Sequence, residues 1–178
     1  MLKGKHIYFR GVEIDDLNFI ERLENNPKNW LVSGTLIPFS RKSIEEYINA
    51  IRNLQTDKQC RWIISLTSND ECIGAIDLFE YDSVHRRAGV GIIIEEKYRK
   101  KGYASQAIDL LIEYSFSHLN LFQLWACIID NNIASQNLFS KAGFELTAAK
   151  KNWIFSDGLW HNEYIYQLIN PKILKFCH

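Results

Sequence analysis

Only three prolines occur in 178 residues, and no Pro/Gly-rich, repeated or low-complexity stretch divides the chain. It reads as one domain over residues 1–178 with its core at about 5–169, long enough for one well-filled interior and short for two. Long apolar runs are also missing. The longest, Leu121 to Ile129, contains Gln123 and falls well short of the ~18 residues that span a bilayer. The opening Met1-Leu2-Lys3-Gly4-Lys5-His6 has no apolar signal segment. Net charge is absent too: 21 Lys and Arg balance 21 Asp and Glu. This excludes the basic footprint of a dedicated nucleic-acid binder and any overall field that would gather polycations. Cys60, Cys72, Cys127 and Cys177 form no CxxC pair and no zinc-finger spacing, so reduced thiols and no metal are expected. Together these absences predict a soluble cytoplasmic protein with no nucleic-acid or membrane partner.

What is present is a regular succession of elements. His6-Ile7-Tyr8-Phe9-Arg10 reads as an opening strand. Asp15-Asp16 offers N-cap chemistry to a helix with Leu17, Ile20 and Leu23 on one face, and Asn25-Asn26-Pro27 closes it. A polar and aromatic connector, Lys28 to Phe39, leads to a second helix. There Ser43 and Glu46 fit a capping box, and Ile44, Tyr47, Ile48 and Ile51 form a buried stripe. Strands over Arg61 to Thr67 and Cys72 to Tyr81 flank the turn Ser68-Asn69-Asp70-Glu71, and a third, Arg87 to Ile94, ends in Ile92-Ile93-Ile94 as a central strand does. The period then changes: Ala104, Ala107, Ile108, Leu111 and Ser115 recur at helical spacing from near Gly102 to about Leu119. Leu121 to Ile129 reads as a buried strand and Asn132 to Ala142 as a helix stopped by Gly143. Glu145 to Ile169 reads as a hairpin turning at Asp157-Gly158. The order β-α-α-β-β-β-α-β-α-β-β predicts an α/β fold of mixed α+β type, a twisted mixed sheet of about seven strands with helices on both faces.

The chemistry concentrates in Arg99-Lys100-Lys101-Gly102-Tyr103-Ala104, between a buried strand and a helix start. A turn there aims free backbone N–H groups and the positive end of the helix dipole at one spot, which suits phosphate. Gly102 permits a conformation or close approach that a Cβ blocks. Ala104 keeps the first turn slim, and Arg99, Lys100 and Lys101 add positive charge. The stretch is neither a P-loop nor a dinucleotide fingerprint. On its own it also fits a plain strand-helix connection with a solvated basic patch.

Arg99-x-x-Gly102-x-Ala104 resembles the Q/R-x-x-G-x-G/A pyrophosphate loop of the GCN5-related N-acetyltransferases (GNAT). Asn132-Ile133-Ala134-Ser135 followed by Lys141-Ala142-Gly143-Phe144 resembles their second signature, N-x-x-S…K-x-G-F. Similarity runs over roughly Lys5 to Ile169. It points to the branch holding RimJ/RimL-type ribosomal-protein N-acetyltransferases and spermidine N-acetyltransferases, on Tyr8-Phe9-Arg10, Asp15-Asp16-Leu17 and Asp157-Gly158-x-Trp160. The resemblance implies acetyl transfer from acetyl-CoA, a cosubstrate, to a primary amine by direct attack. Amides from Lys100 through Lys101, Gly102, Tyr103 and Ala104 to Ser105 would hold the pyrophosphate. The pantetheine arm would lie between parting strands at Ile92, Ile93 and Ile94 and at the end of Leu124 to Ile129, by the physics of strand addition. Asn132, Ser135, Phe139 and Lys141 complete the implied cofactor-binding set, and a backbone N–H near Ile93 or Ile94 is the implied oxyanion donor. Dimers are common in this branch, so a homodimer is expected, without a sequence signal for its interface.

Proton handling departs from the family pattern. Many members carry a Tyr acid where this chain has Phe139. Ser135, one helical turn before it, is the candidate acid; a role in bonding helix backbone or cofactor is equally open. A thiolate whose thiol titrates near ~8.5 also leaves tolerably without an acid. The amine, titrating near ~10, must lose a proton first. Asp77 and Glu80 are the candidate bases, since Arg87 to Ile94 holds no carboxylate. Glu95 and Glu96 balance the basic loop, and His85, His161 and His178 read as surface or structural. For the acceptor, Trp30 to Phe39, the Trp125 strand and Trp153-Ile154-Phe155 suggest an aromatic mouth, suited to a peptide α-amine or a small-molecule amine. Asp82 to Ala88 resembles the turn of spermidine acetyltransferases, but Gly89 stands where they usually carry a carboxylate. The leading expectation is a RimJ/RimL-type enzyme; the alternatives are a polyamine acetyltransferase and a catalytically weak acyl-CoA-binding sensor.

Overall fold

The computed structural model describes residues 2–50 and 53–174; Ile51, Cys177 and His178 lie outside the described residues. The strands are β1 Leu2–Lys3, β2 Ile7–Arg10, β3 Cys60–Leu66, β4 Cys72–Asp82, β5 Arg87–Ile94, β6 Gln123–Ile129, β7 Glu145–Ser156 and β8 Leu159–Ile169. The helices are α1 Leu17–Glu24, α2 Pro27–Ser33, α3 Arg41–Asn49, α4 Leu54–Asp57, α5 Tyr103–Ser117, α6 Ile133–Lys141 and α7 Pro171–Leu174. All eight strands join one sheet in the order β1-β2-β3-β4-β5-β6-β8-β7. The eighth, beyond the seven expected, is the two-residue β1, too short for alternation to signal. Neighbours are antiparallel except β5 and β6, which run parallel and are joined through α5, as a parallel pair requires.

Alternation along the strands splits the interior between the two faces of the sheet. Ile63 and Ala75 pack with Phe19, Ile20 and Leu23 of α1 and Ile44 of α3. Ile64 and Ile76 face the larger core, filled by Ala107, Ile108 and Leu111 of α5 and Phe139 of α6. The Asp157-Gly158 hairpin forms with both residues left-handed (φ 53° and 77°), the geometry that matches strand twist.

Capping chemistry moves three expected boundaries. Pro27 does close α1, but it also opens α2 inside the expected connector. Asn26 Oδ1 accepts from the Lys28 N–H at 3.1 Å, and proline at a first helical position gives up only an N–H that is unbonded there anyway. The second expected helix, α3, starts one turn early because Ser40 Oγ, not Ser43, accepts at its N-terminus (Ser43 N–H, 3.1 Å); the Ser43–Glu46 box does not form. Asp16 does not cap α1 either. Its buried carboxylate turns back to accept from the Glu13 N–H at 2.9 Å and from both Nη atoms of Arg10 at 2.7 and 2.6 Å, tying β2 to the entry of α1.

Burial alone would raise the Asp16 carboxyl, but hydrogen bonds from Arg10 and the Glu13 N–H reverse this and hold it below its ordinary 3.8. A carboxyl depressed in the folded state stabilises above its unfolded value and loses that contribution as pH falls through the folded one. Asp16→Asn should therefore cost about 1–3 kcal/mol at neutral pH and flatten the stability loss below about pH 3.8. Urea unfolding of both proteins across that range checks it.

Candidate active site

The site begins where β5 and β6 stop pairing. Three residue pairs join them, Arg87 with Gln123, Ala88 with Leu124 and Gly89 with Trp125. Past Gly89, β5 stays on β4 as far as Ile94 opposite Gly74, and β6 stays on β8 as far as Ile129 opposite Glu163. The last pair is fixed by aromatic packing. The Phe79 ring lies on Gly89, so close that a Cβ there would stand 2.4 Å from it, and meets Trp125 edge-on at 5.0 Å between centroids. A cavity of about 850 Å³ opens beyond, lined by Val90 to Ile93, Ala126 to Ile129, and Asn132, Ser135 and Phe139.

Hydrogen bonds at the end of β5 show which edge is open. The Glu95 N–H donates to the Ile73 carbonyl of β4, while the Ile94 carbonyl points the other way and accepts from Arg99 Nε at 2.8 Å. The period of two then assigns Ile94, Ile92 and Val90 to the open edge and Ile93 to the β4 ladder. Of the two expected oxyanion donors, Ile94 faces the gap and the Ile93 amide does not; Ile93 is among the lining residues and packs against the cluster of α1 and α3.

The basic loop forms a cradle. Lys100 and Gly102 are both left-handed (φ 60° and 82°), and α5 starts at Tyr103. Among the described residues the N–H groups of Lys100 to Ser105 find no partner; the first helical bond is Gln106 N–H to the Gly102 carbonyl. A Cβ on Gly102 would meet nothing within 4 Å, so its backbone angle, rather than crowding, calls for glycine. Arg99 departs from its expected role. Its fork turns inward, holding the Ile94 carbonyl and Asn29 Oδ1 (3.3 Å) of α2, so it anchors the loop to β5. Lys97 and Lys101 stand over the Tyr98 ring. Of the two acids expected to balance the loop, Glu95 reaches Lys97 and Arg22, and Glu96 reaches Lys28.

Helix α6 brings in the second signature. Asn132 caps it, Oδ1 accepting from the Ser135 N–H at 3.2 Å, and its amide nitrogen has no partner among the described residues. Ser135 and Phe139 share the face on the cavity. Phe139 is buried against Phe144, ring to ring at 5.0 Å, whereas Lys141 is exposed. Trp30 to Leu36 and Trp153 to Phe155 do line the opening, but Trp125 is turned onto Phe79. Cys127 also lines it, and burial pushes its thiol up to about 11, with Glu163 adding to the effect. At neutral pH it is therefore a neutral thiol.

The two candidate bases differ in setting. Glu80 is exposed at an irregularity of β4, with φ 47°. Asp77 lies in the wall of the cavity, and both its oxygens accept from Arg61, at 2.7 Å from Nε and 2.9 Å from Nη2. The third arm of Arg61 bonds Glu24 of α1. Burial alone would lower the guanidinium's value, and Asp77 and Glu24 more than reverse that, so Asp77 keeps a permanent cationic partner. Sequence reasoning missed Arg61: the expected turn Ser68-Asn69-Asp70-Glu71 would set it opposite Leu78, and a register shift between Ile64 and Ser65 brings it opposite Asp77 instead. His161 bonds Asp130 at 3.0 Å, a structural pair. No grouping of three or more His, Cys, Asp and Glu able to hold a metal occurs among the described residues, nor does any helix long and apolar enough to cross a membrane.

The parted parallel strands and unpartnered loop amides coincide with a family match. The sequence model of the acetyltransferase (GNAT) domain fits residues 6–145. The chain belongs to the GNAT family. A probable N-acetyltransferase of Bacillus subtilis is 26% identical over 96% of this chain and 98% of its own length. The spermidine N(1)-acetyltransferase of Vibrio cholerae is 29% identical over 97% of this chain and 98% of its own. The crystal structure of spermidine N-acetyltransferase from Vibrio cholerae in complex with CoA and spermine superposes with a TM-score of 0.84 at 25% identity, covering 94% and 98% of the two chains. This GNAT chain is accordingly an acetyl-CoA-dependent N-acetyltransferase. Among the described residues its loop amides, and the open edge of β5 apart from the Ile94 carbonyl held by Arg99, have no protein partners, which fits a ligand carrying a diphosphate and a chain of amides.

Gly102→Ala places a Cβ in a left-handed conformation at a cost of about 1–2 kcal/mol, which should tip the loop out of its cradle form. Calorimetric titration should give a CoA Kd raised roughly tenfold with unchanged circular dichroism.

Proposed function

We propose that this enzyme acetylates a primary amine of a small polyamine-type molecule, and that its core, about residues 5–169, works as one unit. The observation that carries the reading is the gap between β5 and β6 beside the amide cradle. The acceptor class is supported by the Vibrio cholerae relative, whose structure contains spermine as well as CoA. A peptide α-amine, the RimJ/RimL-type expectation, has no such support. Self-association, expected from the branch, is supported by a dodecameric structure of the same Vibrio enzyme and by the exposure of β7 at the sheet's outer edge.

In this reading the N–H groups from Lys100 to Ser105 hold the pyrophosphate, helped by the charges of Lys100 and Lys101, and Arg99 keeps the loop in register with β5. The open edge at Ile92 and Ile94 aligns the thioester arm and supplies the N–H that stabilises the developing oxyanion. The Asn132 amide nitrogen bonds the arm from the other side. Ser135 Oγ donates the proton to the departing sulfur, a place where Phe139 has none to give. Asp77, committed to Arg61, attracts the incoming ammonium electrostatically and leaves deprotonation to solvent. The neutral fraction of an alkylamine rises about tenfold per pH unit below ~10.

Thiol release from acetyl-CoA with spermidine, putrescine and short peptides tests this. Polyamines should exceed peptides at least ~10-fold in kcat/KM, and Ser135→Ala should lower kcat by about 10–100-fold with the acetyl-CoA KM nearly unchanged. Faster transfer to peptides would restore the ribosomal-type acceptor; unchanged turnover would remove Ser135 as the acid.

A further inference from the structure

A second cavity, of about 350 Å³, lies between the sheet and helices α1 and α3. On the helix side apolar Ile20, Phe39 and Ile44 line it together with Glu24, Ser43 and Tyr47. Arg61, Asp77 and Phe79 form its partition from the thioester cleft and line both. The partition is thin at one place. The Asp77 carboxylate stands 3.8 Å from where a Cβ on Gly91 would be, and Gly91 belongs to the open stretch of β5. An amine whose reacting nitrogen enters the cleft there has the rest of its chain beside Arg61, Asp77 and Glu24.

The charges at this partition are counted by their pairing. Glu24 and Asp77 share the one guanidinium of Arg61, and side-chain exposures of 12%, 25% and 20% keep all three poorly hydrated. Across the cleft Glu163 is matched by Lys150 at 2.6 Å. Glu80, close enough to act on Lys150 and Cys127, is exposed and stays hydrated; among the part-buried groups three carboxylates against two cations leave one negative charge uncompensated. The nitrogen that attacks must be neutral, while every other nitrogen of a polyamine arrives as an ammonium. One such ammonium is compensated; a second would enter a part-buried space without a counter-charge, which is strongly disfavoured.

Resting on the acetyl-transfer reading, we infer that Arg61 is a specificity-determining residue: a built-in cation that fills the place of a second substrate ammonium and restricts the acceptor to amines carrying one charge beyond the reacting nitrogen. A diamine meets that condition; a monoamine leaves the carboxylates unanswered, and a triamine brings one charge too many.

The test is thiol release from acetyl-CoA with n-butylamine, putrescine and spermidine, on wild-type protein and on Arg61→Gln and Arg61→Lys, each first checked for CoA binding. The wild-type enzyme should favour putrescine over butylamine roughly tenfold in kcat/KM and use spermidine no better than putrescine. Arg61→Gln should raise the spermidine-to-putrescine ratio about tenfold through KM, and Arg61→Lys should restore the wild-type ratio; tenfold corresponds to the modest worth of one part-exposed charge pair. Should Arg61→Gln not bind CoA, Glu24→Gln reads the same cluster with the opposite sign, and putrescine should then lose its advantage over butylamine. Equal loss on all three amines with ratios unchanged overturns the inference alone, as does a wild-type preference for spermidine over putrescine. No thiol release with any amine from protein that binds CoA overturns the small-amine reading and the inference with it.

Discussion

Two strands that begin parallel and hydrogen-bonded, β5 and β6, are each held more firmly by their outer neighbour than by each other. β4 carries β5 out to Ile94 and β8 carries β6 out to Ile129, whereas only three pairs join them directly. Sheet twist accumulates between the two outer ladders, and once pairing lapses at Gly89 and Trp125 nothing draws the strands back together. The exposed N–H and C=O groups then belong to water until a ligand with matching amides arrives. An unsatisfied backbone group is costly when dry, so such an edge persists only where it stays wet or is filled. The cavity between these strands is thus the consequence of a ladder that ends early, and the catalytic geometry follows from where it ends.

That endpoint is set by side chains remote in sequence. Phe79 occupies the space above Gly89, so the residue at that position cannot carry a side chain without displacing the ring that buttresses Trp125. This accounts for the missing carboxylate at 89 in packing terms: the ring and a side chain at 89 compete for one volume. At the far end Arg99 fastens the Ile94 carbonyl and reaches Asn29 of α2, itself buried and bonded to the Leu23 carbonyl. The cradle, the open edge and the helices above them therefore share a single tether, and a family-motif arginine that reads as a phosphate ligand turns out to hold the scaffold.

The sequence made the elements legible wherever period and punctuation agree: the hairpin at Asp157-Gly158, the switch to helical spacing after Gly102, and the stop at Gly143 all stand in the structure. It was less informative where two residues of one type compete for a cap, as Ser40 and Ser43 do, or where a proline serves as both end and beginning, as Pro27 does. The cradle was legible because its chemistry lies in consecutive backbone amides. The inward fork of Arg99 and the three-way bond of Arg61 were not, because Asn29, Glu24 and Asp77 lie 70, 37 and 16 residues from them, and a charge pattern along the chain does not say which side chains meet across a sheet. Even within one hairpin the Arg61–Asp77 pairing was hidden, because the register shifts between Ile64 and Ser65 and the turn alone would give a different partner.

Global neutrality and the proposed polyamine-type acceptor are compatible once charge is considered locally. A chain with no net charge gives no long-range attraction, and beyond about 8–10 Å in physiological salt such attraction is screened in any event. What decides binding is the balance within a few ångströms of a poorly hydrated pocket, where pairing removes most of the field. Glu24, Asp77 and Glu163 form an acidic wall only when their partners are ignored; with Arg61 and Lys150 in place most of that charge is spent inside the protein. A relative with the same fold and an uncharged residue opposite Asp77 would present two free carboxylates, at the places of Glu24 and Asp77, on an unchanged backbone. On the proposed acceptor reading, replacing internal cations changes acceptor choice without rebuilding the two strands that part beside the loop.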